Sequence, residues 1–563
     1  MSRNSALQAI GNTMADIPAG LHDGAHSTVA RSSARSLPAW LAQRQSLFIF
    51  LSASAIFIGL AAWLSFGVQL ALGDALSRTL SAIRIEHARF PRLAAIGFVW
   101  PPLPTMAQLP LVIDPKWAYY GFSGGVVTAL SAGAMLTSLN GALRWANVGA
   151  RWRIAALVLF VLNPMWLFYA GNGMSEMPFL LFFTLASFSF IRWQADGQWR
   201  NLALGGLATA LMFGCRYDAI PYAGVFAAGM CLIFVLRGRS FNPPRIEANL
   251  LAYLVPISYG VGMWLYFNWL IMGDPLFFAH NPYSNAFIVR NVASNAQVIA
   301  LQGSWGATAQ FLVVTLLALS PLLLAFLFAA IVEVVRRRDA GLMAVIVLLL
   351  AVPLFQLYSY RSGQTFGFLR FFVSMQPAGL LLAAALLRDR KGWARQALLV
   401  STLALLAAGV WTSAEAMQKA GPAHIFADTI VFEETDFVHA LKNPGTLIDN
   451  YAPERDAAAV LRARFADKPV KIMGDIDTDE VILFSTIPQK FIVPSDPDFN
   501  EALLHPSAVA DYVLMSQTRA DDPRFMIMHE AYPQLYDKGA PGLVLDSQIG
   551  PFRLYRSLTG GAP

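Results

Sequence analysis

The feature that most constrains this chain is a series of apolar stretches, each long enough to cross a bilayer, recurring from residue 47 to residue 415. They run roughly over 47–72, 118–140, 154–171, 177–192, 201–215, 219–236, 249–271, 307–332, 341–358, 369–387 and 396–415, which predicts about eleven transmembrane helices. The expected fold class is a polytopic α-helical membrane protein. A mean hydropathy of +0.50, with 56% hydrophobic and only 13% charged residues, excludes a water-soluble surface. The formal charge of +6 does not point to nucleic acid, because the basic residues fall in short clusters between apolar stretches rather than along one face. Cys215 and Cys231, the two cysteines, both lie in apolar runs, so neither a disulfide framework nor a cysteine metal cluster is expected.

Those basic clusters set the topology. Arg144, Arg151 and Arg153, then Arg192 and Arg200, then Arg237, Arg239 and Arg245, then Arg336 to Arg338, then Arg388, Arg390, Lys391 and Arg395 fall in alternate loops. By the positive-inside rule those loops are cytoplasmic, together with a disordered tail over 1–46 that carries Arg31, Arg35 and Arg44. The opposite connections then face the periplasm of a bacterial inner membrane: 73–117, 172–176, 216–218, 272–306, 359–368 and the chain after about 416. In the long first loop, charged residues mix with an apolar run from Leu93 to Leu111, and its prolines rule out one continuous helix. Such a loop suits helices lying in the interface. The region 47–415 thus reads as the transmembrane domain, and 416–563 as a small periplasmic α/β domain that covers the membrane site or helps to bind acceptor. Strands are expected at 471–475, 481–486, 490–495, 511–516, 543–546 and 552–557, with helices near 455–467 and 499–504.

Chemistry should be sought among the ionisable residues on that face. Asp74 stands just outside the first span, with Arg78 one helical turn later. An acid and a base placed so at the water interface form a candidate reaction centre, and equally a capping carboxylate paired with its own helix. Glu176 opens a helix, where an acid also serves the helix dipole. Arg216 and Asp218 lie between two spans, either as a mutual ion pair or as part of a site. His87 beside Glu86 offers two adjacent ligand groups, or a solvated loop. Arg361 and Arg370 flank a short loop and either bind an anion or reach to lipid headgroups. His280, Asn281, Tyr283 and Asn285 form a polar and aromatic cluster suited to a sugar. Trp100, Trp117, Tyr119 and Tyr120 read as an interfacial belt.

The segments DALSR (74–78), HARFPRLAAIGFVWPPLPTMAQLPL (87–111), NPMWLFYAGNGMSEMPF (163–179), GCRYDAIPYA (214–223), NPYSNA (281–286) and FGFLRFF (366–372) together resemble the GT-C superfamily of polytopic glycosyltransferases. More closely, they resemble glycosyltransferase-39-type proteins related to dolichyl-phosphate-mannose mannosyltransferases. The resemblance implies a GT-C-like fold with catalytic residues Asp74, as the base, and Glu176. Arg370 in FLRFF takes the place of an arginine that contacts the lipid phosphate, although Phe371 stands where tyrosine is common. Ala75 stands beside Asp74 where some relatives carry a second aspartate, so a metal-bound mechanism does not transfer directly.

The expected function is transfer of a sugar from a polyprenyl-phosphate donor to a periplasmic glycan, lipid or protein acceptor. Substrate contacts are assigned to Arg78, His87, Arg216, Asp218, His280, Tyr283, Asn285, Arg361 and Arg370. The expected partners are donor, acceptor and membrane lipids, with no nucleic acid. No cofactor is assigned, and a divalent cation held by Asp74 and Glu176 stays open. The competing reading is a transporter or lipid flippase, which would distribute its charges through the bilayer depth and show inverted repeats.

Overall fold

Helices stand at each of the eleven apolar stretches, but two of the stretches are broken. The computed structural model describes residues 39–236, 243–281, 300–418, 433–517 and 526–558, together with 284, 289, 426 and 431. Tyr283, Asn285, Arg237, Arg239 and most of the tail over 1–46 lie outside the described residues. The first helix begins at Ala39, inside the segment expected to be disordered, and runs to Ala62.

Both breaks occur where a polar cap meets proline. Asn163 ends Ala150–Val161 and caps Pro164–Gly171, its Oδ1 accepting from the Met165 and Trp166 amides at 3.1 and 3.4 Å. Ser320 separates Trp305–Leu319 from Pro321–Arg337 and accepts from Leu323 N at 3.2 Å. Proline is welcome at the first position of a helix and costly inside one, and where a capping Asn or Ser precedes it, as at these two X-Pro steps, one helix ends and the next starts. The two pairs bend by 76° and 116°. Against the eleven expected, seven helices among the described residues are long and apolar enough to cross a membrane, or up to nine if each bent pair is one span. Of the others, Trp199–Phe213 has 15 residues, about 22 Å of helix against a hydrocarbon core of about 30 Å. The chain is a multi-pass helical membrane protein.

Following the last long helix, Gly392–Ala416, the described chain ends in a five-stranded sheet of order β2-β1-β3-β5-β4. The strands are β1 Ile472–Met473, β2 Phe491–Ile492, β3 Tyr512–Ser516, β4 Leu543–Ile549 and β5 Phe552–Ser557. β1 runs parallel to both β2 and β3, whereas β5 is antiparallel to β3 and β4. Five of the six expected strands are present. The sixth, 481–486, is a helix, Asp479–Ser485. Asp475 and Thr478 form a capping box immediately before it, and Asp479 and Glu480 fill its first turn. A short apolar run reads alike as buried strand or buried helix, and these capping residues decide it.

The sheet and the first loop share one hydrophobic core. Leu76, Leu80 and Ile83 of the Gly73–His87 helix lie in one buried cluster with Leu461, Phe465, Ile482 and Phe484. Tyr120, expected in an exposed belt, is instead 2% exposed, donates to Asp449, and packs with its ring centroid 4.8 Å from that of Phe484.

Asp475, directly after β1, is fully buried and accepts from Ile476 N at 2.7 Å and Met528 N at 2.8 Å. Burial pushes its carboxyl up to about 7 against the pull of the Met528 amide, and Asp477 and Asp479 add to the rise. With the folded-state value above an unfolded value of about 4, the stabilisation tied to protonated Asp475 is fully present below about pH 4 and is lost as pH rises through about 7. The thermal midpoint of the purified chain in detergent should therefore fall from pH 5 to pH 8 more steeply than that of Asp475→Asn, whose amide does not titrate. Equal slopes would show that Asp475 does not set this dependence.

Candidate functional site

Glycine brings the site elements together. Gly173, in the turn before the Glu176–Asp196 helix, has φ +81° and lies so close to Gly124 that a Cβ added to Gly124 would meet the Gly173 Cα at 3.1 Å. A Cβ on Gly173 would in turn meet the Ala75 Cβ at 3.4 Å. The turn is thereby held against both Phe122–Trp145 and the start of the Gly73–His87 helix. This contact places Glu176 near Asp74.

Asp74 sits in the first turn of its helix with its side chain 47% exposed, and Arg370 Nη2 donates to its Oδ2 at 3.2 Å. Arg370 comes from the tight Leu369–Phe372 turn that opens a late span. Glu176 is buried, 2% exposed, and accepts from Arg216 Nη1 at 2.9 Å through Oε1, while Oε2 has no hydrogen-bond partner. Arg216 also donates through Nε to Asp218 at 2.8 Å, and Gln356 Nε2 donates to the other Asp218 oxygen at 2.6 Å. Burial would lower the Arg216 pKa, but Asp218 and Glu176 outweigh it and hold the value above the ordinary one. The Phe371 ring centroid lies 5.3 Å from the Arg216 guanidinium carbon and 5.6 Å from that of Arg370, so one aromatic ring serves both cations.

The structure therefore brings Asp74, Glu176, Arg216, Asp218 and Arg370 into one charged cluster. Arg78 borders it: the side chain is buried, within electrostatic reach of Asp74, Glu176 and Arg216, but its guanidinium donates to Pro101 O at 3.3 Å and lies 4.9 Å from the Trp100 ring centroid. Desolvation by burial pulls its pKa below the usual arginine value. Other expected contacts lie elsewhere. His87 Nε2 is 2.8 Å from Val112 O, tying the loop to itself. His280 pairs with Asp274 at 2.7 Å on an exposed surface. Arg361 donates to Leu301 O at 3.3 Å and lies 4.0 Å from the Trp305 ring centroid.

Sequence reasoning missed Tyr169, Glu433 and Glu434 in the surroundings of Arg370. Tyr169 donates to Glu434 Oε1 at 2.6 Å, and Tyr169, Glu176 and Glu434 all act on Arg370 electrostatically. Glu433 adjoins them, its carboxyl pushed up by burial. Glu433 and Glu434 open the Glu433–Lys442 helix, which the sequence presents only as acids after the last span. No local signal marks them as neighbours of Arg370. Among the described residues no three His, Cys, Asp or Glu side chains are grouped to hold a metal ion.

No family model and no curated protein matches the chain. Its structure is similar to ArnT from Cupriavidus metallidurans bound to undecaprenyl phosphate, at 14% identity and a TM-score of 0.52 over 92% of this chain and 99% of that one. It is equally similar to the apo state of the same protein, at 13% identity and a TM-score of 0.52 over 93% and 100% of the two chains. The likeness to ArnT extends over most of the chain. The chain shares the fold of ArnT, in keeping with the polytopic helical fold expected from the sequence.

Proposed function

We propose that this multi-pass membrane protein with the GT-C fold moves a sugar from a polyprenyl-phosphate donor to an acceptor hydroxyl on a periplasmic glycan, lipid or protein. The observation that carries the reading is the half-exposed Asp74 carboxylate, paired at 3.2 Å with an otherwise buried Arg370 at the mouth of a charged cluster. ArnT, whose fold the chain shares, has been crystallised with undecaprenyl phosphate, which supports a polyprenyl carrier. The positive-inside pattern supports a periplasmic site.

In this reading Asp74 accepts the proton of the acceptor hydroxyl as that oxygen attacks the anomeric carbon. The bond from that carbon to the phosphate oxygen breaks, and its electron pair leaves with the lipid phosphate. Arg370, released from Asp74 as the carboxylate takes the proton, neutralises the departing charge. A single in-line displacement inverts the anomeric centre and needs no covalent nucleophile. Glu176, Arg216 and Asp218 stand behind the pair, and the buried Oε2 of Glu176, which has no hydrogen-bond partner, keeps a lone pair for the hydroxyl of a sugar that enters the cluster. The clustering of these charges supports chemistry at one place over passage through the bilayer.

The test is incubation of the purified protein in detergent with a radiolabelled polyprenyl-phosphate sugar and an envelope extract as acceptor. Label moving from the lipid to the acceptor fraction is the expected result. Binding of donor without transfer, together with scrambling of donor across proteoliposomes, would favour the flippase reading instead.

A further inference from the structure

We propose that the C-terminal sheet positions the reaction centre through an arginine latch, in which Arg84 and Arg89 of the first loop are held by Asp479, Asp496 and Asp498. The proposal rests on the function proposed above and deepens it by assigning positioning residues.

β1 lies between β2 and β3 and runs parallel to both: the chain leaving β1 passes to β2 on one side, while β3 stands on the other, so the strand order reverses at β1. Open α/β sheets take up their ligands at such a switch point. In this chain the segments that follow β1 and β2 carry Asp479, Asp496 and Asp498, and the groups that meet them are arginines of the same chain. Arg84 Nη2 reaches Asp479 Oδ1 at 2.6 Å and Nη1 reaches Oδ2 at 3.5 Å, a two-pronged contact with both side chains only 12% exposed. Arg89 contacts Asp496 Oδ2 at 3.4 Å and is hydrogen-bonded to Asp498. The sheet grips the loop with the edge that related architectures use for ligands.

Arg84 belongs to the same continuous helix as Asp74, ten residues on and thus about 15 Å along the axis. A helix transmits displacement as a rod. Its apolar face is already set in the core shared with the sheet, but burial of Leu76, Leu80 and Ile83 is non-directional and tolerates small slides. The planar fork at Arg84 fixes position along the axis, which decides where Asp74 stands relative to Arg370.

The experiment combines hydrogen exchange of the full chain in detergent with transfer kinetics for Arg84→Ala, Arg84→Lys, Asp479→Asn and the exchanged pair Arg84→Asp with Asp479→Arg. Expected are faster exchange of the 73–87 amides in the three single variants and a fall in kcat of up to about 100-fold for Arg84→Ala with KM changed far less. Arg84→Lys, which keeps charge but not the fork, should recover little, and the exchanged pair should restore both readouts. Unchanged exchange in the single variants overturns the latch. Faster exchange with wild-type kcat overturns the positioning role. Should the wild-type chain transfer no sugar at all, the functional reading fails, and the exchange arm alone decides whether the latch exists.

Discussion

Asp74→Asn should lower sugar transfer by about 10²–10⁴-fold, the usual contribution of a positioned general base, while the protein remains folded and binds donor. Asparagine is isosteric and its carbonyl oxygen still accepts from Arg370 Nη2, now 3.2 Å from the carboxylate, so the helix start and the neighbouring span keep their contact. What is lost is the ability to take a proton. The negative charge beside Arg370 is lost as well, but Glu176 and Glu434 remain within its electrostatic reach. The phosphate of the donor should therefore bind at least as well as in the wild type. Donor binding and transfer are to be measured on the same preparation. Transfer at the wild-type rate with Asp74→Asn would reject Asp74 as the base.

Arg370→Ala should be nearly as damaging for a different reason. The guanidinium is 15% exposed and faces acids from three parts of the chain, so its loss leaves like charges facing one another as well as an unneutralised leaving group. Removing a preorganised donor to a developing oxyanion lowers kcat by about 10²–10³-fold. Both thermal stability and kcat should fall, and donor affinity with them. Arg370→Lys distinguishes a point charge from a planar one: an ammonium keeps the charge but not the guanidinium's flat set of donors, of which Nη2 contacts Asp74 while the guanidinium carbon lies 5.6 Å from the Phe371 ring centroid. It should recover stability more than turnover. Full turnover with lysine would mean that any cation suffices at this position.

These expectations show where the sequence was informative. Asp74, Glu176, Arg216, Asp218 and Arg370 were legible because an ionised group next to a hydrocarbon span is costly and needs a reason. The cost of an ionised group beside a span marks each residue singly and says nothing of its partner. From spacing, Asp74 belonged with Arg78, four residues away, whereas the structure pairs it with Arg370, 296 residues away, and turns Arg78 toward Pro101 and Trp100. The acids at Glu433 and Glu434 carried no sign of their destination, because nothing within a helical turn of them is part of the cluster.

The sequence by itself determined the apolar stretches and hence the helices, the proline-marked segments between them, and most of the C-terminal strands. These follow from periodicity, length and local steric rules, which act within a few residues. Local caps carried more than periodicity did: Asn163 and Ser320 before proline break two expected spans, and the Asp475–Thr478 box makes 481–486 a helix. Tertiary structure alone decided by how much the broken spans bend, 76° and 116°, and that Arg84 meets Asp479 across 395 residues. An ion pair records which chain segments converge. Convergence is set by the packing of whole helices, with glycines such as Gly124 and Gly173 permitting the close approach, and no local pattern encodes it.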